Sequence, residues 1–387
     1  MKRSSDRILT THVGSLPRPR ELLDLMRKKI LGETYDKAAY DHRVGQAVRD
    51  VVAQQVECGI DIVTDGEMSK PGFFAYVQDR LMGFEPRPGQ GPRKFAAEID
   101  AFPEYYEEYF KRAMTGGSVV PMVPMFCTGP ITYVGAESLR EDLANLKAAL
   151  AGLSYADAFV PSVAPSGVGN NAYYKNDEEF LYAVGEALRA EYLAIVEAGF
   201  LVQIDDPFLS DVFIELKSDP AQMRRTADLY VDVTNHALRG IPPEKIRLHT
   251  CYGINEGPRI HEAALADVVD YMLRINAGAY SFEAANPRHE HEYHLWETVK
   301  LPEGKILIPG VITHASNIVE HPELIAERLG RFAHLVGREN VIAGADCGFS
   351  SQASYRTEVN EAVMWKKFEA LVEGARLASR KLWPRAA

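Results

Sequence analysis

The stretch IRLHTCYG, Ile246 to Gly253, begins with apolar residues and ends with polar ones. Read as a strand, it places residues two apart on one face. His249 and Cys251 then address one point just past the apolar run. A lone cysteine is often a small, buried, apolar residue, so packing explains Cys251 as well as a metal site does. The choice turns on whether other strand ends carry similar chemistry.

Seven more stretches have the same form: ILTTHVGS from Ile8, DIVTDGE from Asp61, VVPMVPMFCTGP from Val119, LVQIDDP from Leu201, AYSFEAAN from Ala279, ILIPGVIT from Ile306 and VIAGADCG from Val341. They are nearly continuous apolar runs, as expected for a parallel sheet covered on both faces. Longer amphipathic segments separate them, and DHRVGQAVRDVVAQQVECG, EEFLYAVGEALRAEYLAIVEAG and HPELIAERLGRFAHLVG each end on a glycine suited to closing a helix. Eight strand-then-helix units predict a (β/α)8 TIM barrel. A doubly wound dinucleotide fold is disfavoured because the first turn, THVGSLPRP, lacks GxGxxG, and no GxxxxGK[ST] loop occurs. One domain over residues 1–387 is expected, elaborated over the barrel mouth around 84–115 and 134–175. The first region holds EPRPGQGPRKF and the second VPSVAPSGVGNNAYY.

Composition limits the partners. The net charge of -11 argues against nucleic acid, which needs clustered Lys and Arg. No apolar run approaches the roughly 20 residues that span a bilayer. The start MKRSSDRILTTHVGS lacks the apolar stretch of a secretory signal, so a cytoplasmic location is expected. Four dispersed cysteines, Cys58, Cys127, Cys251 and Cys347, form no disulfide framework. Cys58 and Cys127 read as packing.

In a TIM barrel the active site lies at the C-terminal ends of the strands. The predicted ends carry His12 and Ser15, Asp65 and Glu67, Thr128, Asp205 and Asp206, His249 and Cys251, Glu283, Thr313 and His314, and Asp346 and Cys347. A core would not tolerate so many unpaired polar groups. His249, Cys251, Glu283 and Cys347 offer one nitrogen, two sulfurs and one oxygen, a set that suits tetrahedral Zn2+.

Together these motifs resemble the catalytic barrel of cobalamin-independent methionine synthases and their relatives, the epoxyalkane:coenzyme M transferases. VGSLPRP is similar to that family's Ser-containing opening, DGEMSK to its Glu motif, TGPIT to its Gly-Pro-Val-Thr motif and QIDDP to its Gln-Ile-Asp-Glu-Pro motif. HTCY, the Glu of SFEAAN and DCG stand where the family places zinc ligands. The resemblance implies that a substrate thiol joins the metal, displacing the Glu283 carboxylate. It implies that Ser15, Glu67 and Asp205 hold the amino-acid part of homocysteine, with Thr128 in the same substrate-binding set. It also implies a proton donor at His314, in VITHASN, one position off the family's Asp-Ile-His-Ser. The tryptophan that follows Gly-Pro-Val-Thr in the methionine synthases is absent from GPITYVGAES, where Tyr133 is the nearest substitute.

Methyl transfer to homocysteine from an alkyl donor is the leading functional expectation. Opening of an epoxide by a thiol is the alternative, and there His12 or His314 would protonate the alkoxide. A structural zinc barrel is the non-enzymatic alternative, and a decarboxylase of the uroporphyrinogen type needs no Cys-rich site. Two further motifs stand apart. NPRHEHEYHLWE carries His289, His291 and His294, which read as a solvated helix start rather than a second metal site. RPREL, with Arg18 and Arg20, reads equally as an anion site and as a surface loop.

Overall fold

A computed structural model describes residues 1–91, 93–111, 117–119, 123–253 and 256–384. The strands in chain order are β1 (Leu9–Thr10), β2 (Ile62–Val63), β3 (Leu81–Pro86), β4 (Met125–Tyr133), β5 (Asp157–Val163), β6 (Asn170–Asn171), β7 (Leu201–Asp205), β8 (Ile246–His249), β9 (Ala279–Phe282), β10 (Ile306–Ile312) and β11 (Ile342–Ala345). Eight of them form one parallel sheet in the order β1-β11-β10-β9-β8-β7-β5-β2. A parallel bridge between Thr11 and Ile62 joins its two edges, so the sheet closes into the expected (β/α)8 barrel.

The staves read as continuously apolar because both faces are buried, yet the two faces bury different things. In β8, Ile246 and Leu248 belong to the large core between sheet and helices. Arg247 and His249 therefore face the barrel axis. The same parity holds in β7, where Leu201 joins an inner cluster with Leu9, Ile62, Phe159, Ala279, Ile306, Ile308 and Ile342. Val202 and Ile204 face the helices. The inner face thus starts apolar at the bottom of the barrel and becomes polar toward the top: Gln203 and Asp205 on β7, Arg247 and His249 on β8, Ser281 and then Glu283 on β9 and beyond. Register pairs Asp205 with His249 and His249 with Ser281, so these groups lie in one layer.

One stave departs from the sequence reading. The third barrel strand is β5, inside the stretch 134–175 expected to elaborate the mouth. The strand read there from Val119 is β4, which pairs antiparallel with β3 and carries β6 on its other edge, outside the barrel. Residues 120–122 of that stretch lie outside the described residues. Thr128 therefore does not end a barrel strand.

The outer hairpin is fixed to the barrel by a buried polar network. Arg80 donates to Glu191 at 2.8 Å and to Asp142 at 2.5 Å. The hydroxyls of Tyr76, Ser162 and Tyr133 also donate to Glu191, at 2.7, 2.7 and 3.0 Å. Among the described residues, no helix is long and apolar enough to cross a membrane.

Candidate metal centre and active-site cavity

His249, at the end of β8, presents Nδ1 3.3 Å from the Ser281 hydroxyl, while its Nε2 is buried without a partner. A buried nitrogen rarely stays unpaired, so His249 Nε2 stands as a donor available to a metal. One ligand atom each from His249, Cys251 and Cys347 lies within 4.8 Å of the others, and all three residues are buried. Burial, with the positive charge of Arg247 nearby, pushes the His249 imidazole down to about 3, so its lone pair is available at neutral pH. The Cys251 thiol is pushed well up by its hydrogen bond with Cys347 and by burial. Two adjacent buried thiols resist ionising unless a cation sits between them, and a thiophilic divalent ion supplies that cation. The donors thus fit a zinc-like ion.

Glu283 is not part of that trio. Its carboxylate accepts from Arg259 Nη2 at 2.8 Å and falls in a second buried group with His314 and Asp346. Asp346 is held by the Ala284 and Ala285 N–H groups, both at 2.8 Å. His314 lines the cavity that also exposes the trio. Burial and the charges of Arg259, His249 and Lys367 hold its imidazole well below its ordinary range, hence neutral.

The cavity encloses about 540 Å3 above the barrel. Ser15, Glu67 and Asp205 line it with His249, Cys251 and Cys347. Glu67 is a non-glycine residue in the left-handed region, with φ 58, a conformation that marks strained functional turns. Asp65 holds it there by accepting from its N–H at 2.9 Å. Lys70 Nζ stands 3.5 Å from Glu67 and donates to the Pro161 carbonyl at 2.5 Å. Asp205 accepts from Gln203 at 2.7 Å. Burial and the facing Glu67 push its carboxyl well above the usual range. Gly348 lets the last loop approach Ser15: a Cβ there would meet the Ser15 hydroxyl at 2.0 Å.

Other expectations fare differently. Thr128 does not line the cavity, although Met125 at the start of the same strand does. His12 does not line it either: its Nε2–H donates to Gln55 at 2.8 Å, and its Nδ1 accepts from the Gly14 N–H at 3.3 Å. Its ring packs on Phe159 and Phe368, as a satisfied core histidine. Tyr133 is committed to Glu191 and is likewise not a cavity wall. Arg18 is buried and donates to the carbonyls of Ser350, Glu67 and Lys70, stapling two mouth loops rather than awaiting an anion. In the NPRHEHEYHLWE stretch, His291 and His294 are exposed, but His289 is buried. It stacks on Tyr252 at 4.1 Å and bonds Glu262 and Glu292. The sequence reading missed Arg259, which only its position in the loop after β8 hinted at. It also missed the aromatic wall of Phe73, Phe74, Phe95 and Phe208, whose scattered phenylalanines carry no motif. Phe95 and Lys94 come from the first elaboration, which therefore does lie over the mouth.

A parallel barrel with a nitrogen-and-sulfur donor trio able to hold a metal, opening onto a cavity at its C-terminal mouth, defines a barrel of enzymatic type. The particular family follows from comparison. A family model described as "Cobalamin-independent synthase, Catalytic domain" matches residues 8–88 and 162–367, and the chain belongs to that family. Methionine synthase of Saccharolobus solfataricus is 22% identical over 379 residues, covering 96% of this chain and 95% of its own length. That of Thermococcus kodakarensis is 24% identical over 381 residues, covering 96% and 94%. Among solved structures, a B12-independent methionine synthase from Shewanella sp. W3-18-1 in complex with selenomethionine superposes with a TM-score of 0.71 at 20% identity. It covers 97% of this chain and 99% of that one. A putative vitamin-B12 independent methionine synthase from Listeria monocytogenes gives 0.66 at 20% identity, covering 96% and 98%.

Proposed function

We propose that the protein is a zinc-dependent thiol methyltransferase that methylates the sulfur of homocysteine. The observation that carries this reading is the shared cavity: His249, Cys251 and Cys347 converge at one point of its wall, and Glu67 and Asp205 line it elsewhere. Bound by the trio, with Glu283 as a fourth ligand before substrate arrives, zinc would keep a substrate thiol ionised at neutral pH.

The chain's own groups do the rest. Glu67 already has Lys70 Nζ at 3.5 Å, and with Asp205 on the same cavity wall it leaves room for a further cation, which the ammonium of an amino-acid thiol supplies. Ser15 and the backbone beside Gly348 receive the substrate carboxylate. This pairing favours homocysteine over coenzyme M, whose sulfonate would meet Glu67 and Asp205 with like charge. Glu67 and Asp205 orient the substrate, so its sulfur is presented from one fixed direction. Neutral His314, which lines the same cavity, would exchange a proton with the departing donor fragment. The remaining space, walled by phenylalanines, takes the alkyl donor and excludes water. A structural zinc site would be closed by four protein ligands, whereas this trio opens on a substrate-sized space.

X-ray absorption at the zinc edge tests the reading. Titration with homocysteine should add one sulfur neighbour and remove one light-atom neighbour. Purified protein without stoichiometric zinc, or zinc whose neighbours never change with any thiol, would refute it. A panel of homocysteine, coenzyme M, glutathione and cysteine, crossed with methyl-folate and epoxide donors, then identifies the reaction by product mass.

A further inference from the structure

Arg259 carries three nitrogens into a buried pocket and is 2% exposed. Nη2 donates to Glu283 at 2.8 Å, Nε pairs with Glu262, and Nη1 has no partner. The residue sits in the left-handed region, with φ 56, in the stretch that follows β8 and Cys251. That conformation costs a non-glycine residue free energy and persists only where the surroundings enforce it. Here they do: Glu262 also bonds His289 Nε2 at 3.1 Å, and His289 stacks on Tyr252, next to Cys251. The guanidinium is thus anchored on one side by Glu262 and holds Glu283 with the other. Glu283 meanwhile stands outside the group of atoms formed by His249, Cys251 and Cys347.

We propose that Arg259 is a positioning residue for ligand exchange: it receives the Glu283 carboxylate when a substrate thiol takes that carboxylate's place, and competes for it at all other times. A carboxylate displaced into a dry pocket with no counter-charge would resist displacement, since a buried unpaired anion is costly. Arg259 removes that obstacle. The planar fork suits the task because one nitrogen stays on Glu262 while another binds Glu283. The carboxylate moves as an anion between two positive partners, and the proton that the thiol gives up on ionising leaves to solvent. The inference rests on the zinc–thiol reading above.

The test is zinc affinity by competition with a chromogenic chelator, together with the visible spectrum of the cobalt-substituted protein titrated with homocysteine. In Arg259→Gln the carboxylate loses its second partner. Zinc binding without thiol should tighten at least fivefold, and the homocysteine concentration giving half the spectral change should rise at least fivefold. Both shifts should vanish when the substitution is made in a Glu283→Gln background. Arg259→Lys, which cannot span both glutamates, should shift both quantities in the same direction by less. It serves as the informative variant if the glutamine form does not fold. Unchanged or weaker zinc binding in Arg259→Gln overturns the assignment, as do shifts of equal size in the Glu283→Gln background; either result makes Arg259 a structural counter-charge. A parent protein that binds no zinc removes the zinc–thiol reading and this inference with it, whereas a parent that binds zinc and thiol but shows no coupling removes the inference alone.

Discussion

His249, Cys251 and Cys347 share one task but not one cost of loss. Cys251→Ser replaces a soft thiolate with a hydroxyl that stays protonated, so zinc affinity should fall by at least a hundredfold. Chelator competition reads this directly, and circular dichroism should show an intact barrel. A zinc-replete Cys251→Ser protein would contradict the donor assignment. Gly348 makes a different prediction. Gly348→Ala drives a methyl group into Ser15, so the KM for homocysteine should rise about tenfold or more while zinc content stays at the parent's level. The division follows from position: Cys251 belongs to the donor trio, whereas Gly348 packs against Ser15, where the proposed reading seats the substrate. At this scale HTCY and DCG were legible because strand periodicity puts i and i+2 on one face. Arg259 was not, because a loop arginine has no period and its partner lies 24 residues away.

The elements beyond the staves aim the chemistry. The helix Glu361–Leu382 sends Lys367, fully buried, to Glu320 at 2.8 Å. Glu320 in turn accepts from the Thr313 N–H at 2.8 Å, and His314 is the next residue. Lys367→Met leaves a buried carboxylate unpaired and should destabilise by about 3–5 kcal/mol, read as a lower chemical-denaturation midpoint. Turnover should fall more than substrate affinity, because the loop that carries His314 loses its anchor. The element level is also where the sequence misled. Both β4 and β5 are apolar runs containing proline, so residue content does not separate stave from hairpin. What separates them is the partner: β4 meets β3 antiparallel, a tertiary pairing that a single run does not encode. The assignment of Thr128 failed with it.

Over the whole molecule, the barrel class followed from eight repeated runs and survived a mistaken stave, because a local error leaves the count of strand-then-helix units near eight. The attachment of the hairpin was invisible, since Arg80, Asp142 and Glu191 are far apart in the chain. Their network sets a pH dependence. Burial alone would raise the Glu191 carboxyl, but Arg80 and Lys70 outweigh it and hold it at about 2, below its ordinary 4.5. The folded state therefore binds this proton less readily than the unfolded chain. The stabilisation is fully present above pH of about 4.5 and is lost as pH falls toward 2. Denaturant titrations should show the parent's advantage over Glu191→Gln shrinking between pH 5 and pH 3. An advantage independent of pH over that window would place the proton elsewhere.

The ring of staves is not equally thick. At its seam, β1 and β2 have two residues each and meet through the bridge from Thr11 to Ile62, with Asp61 bonded to Thr10 beside it. Ser15 and Glu67 hang from the loops just beyond these two strands and Cys347 follows β11, next to β1, whereas His249 closes β8 and Cys251 follows it, three staves from β2 and four from β1. Gentle warming should therefore blur the proposed grip on the amino acid first, with His249 and Cys251 still in place on the far side of the ring.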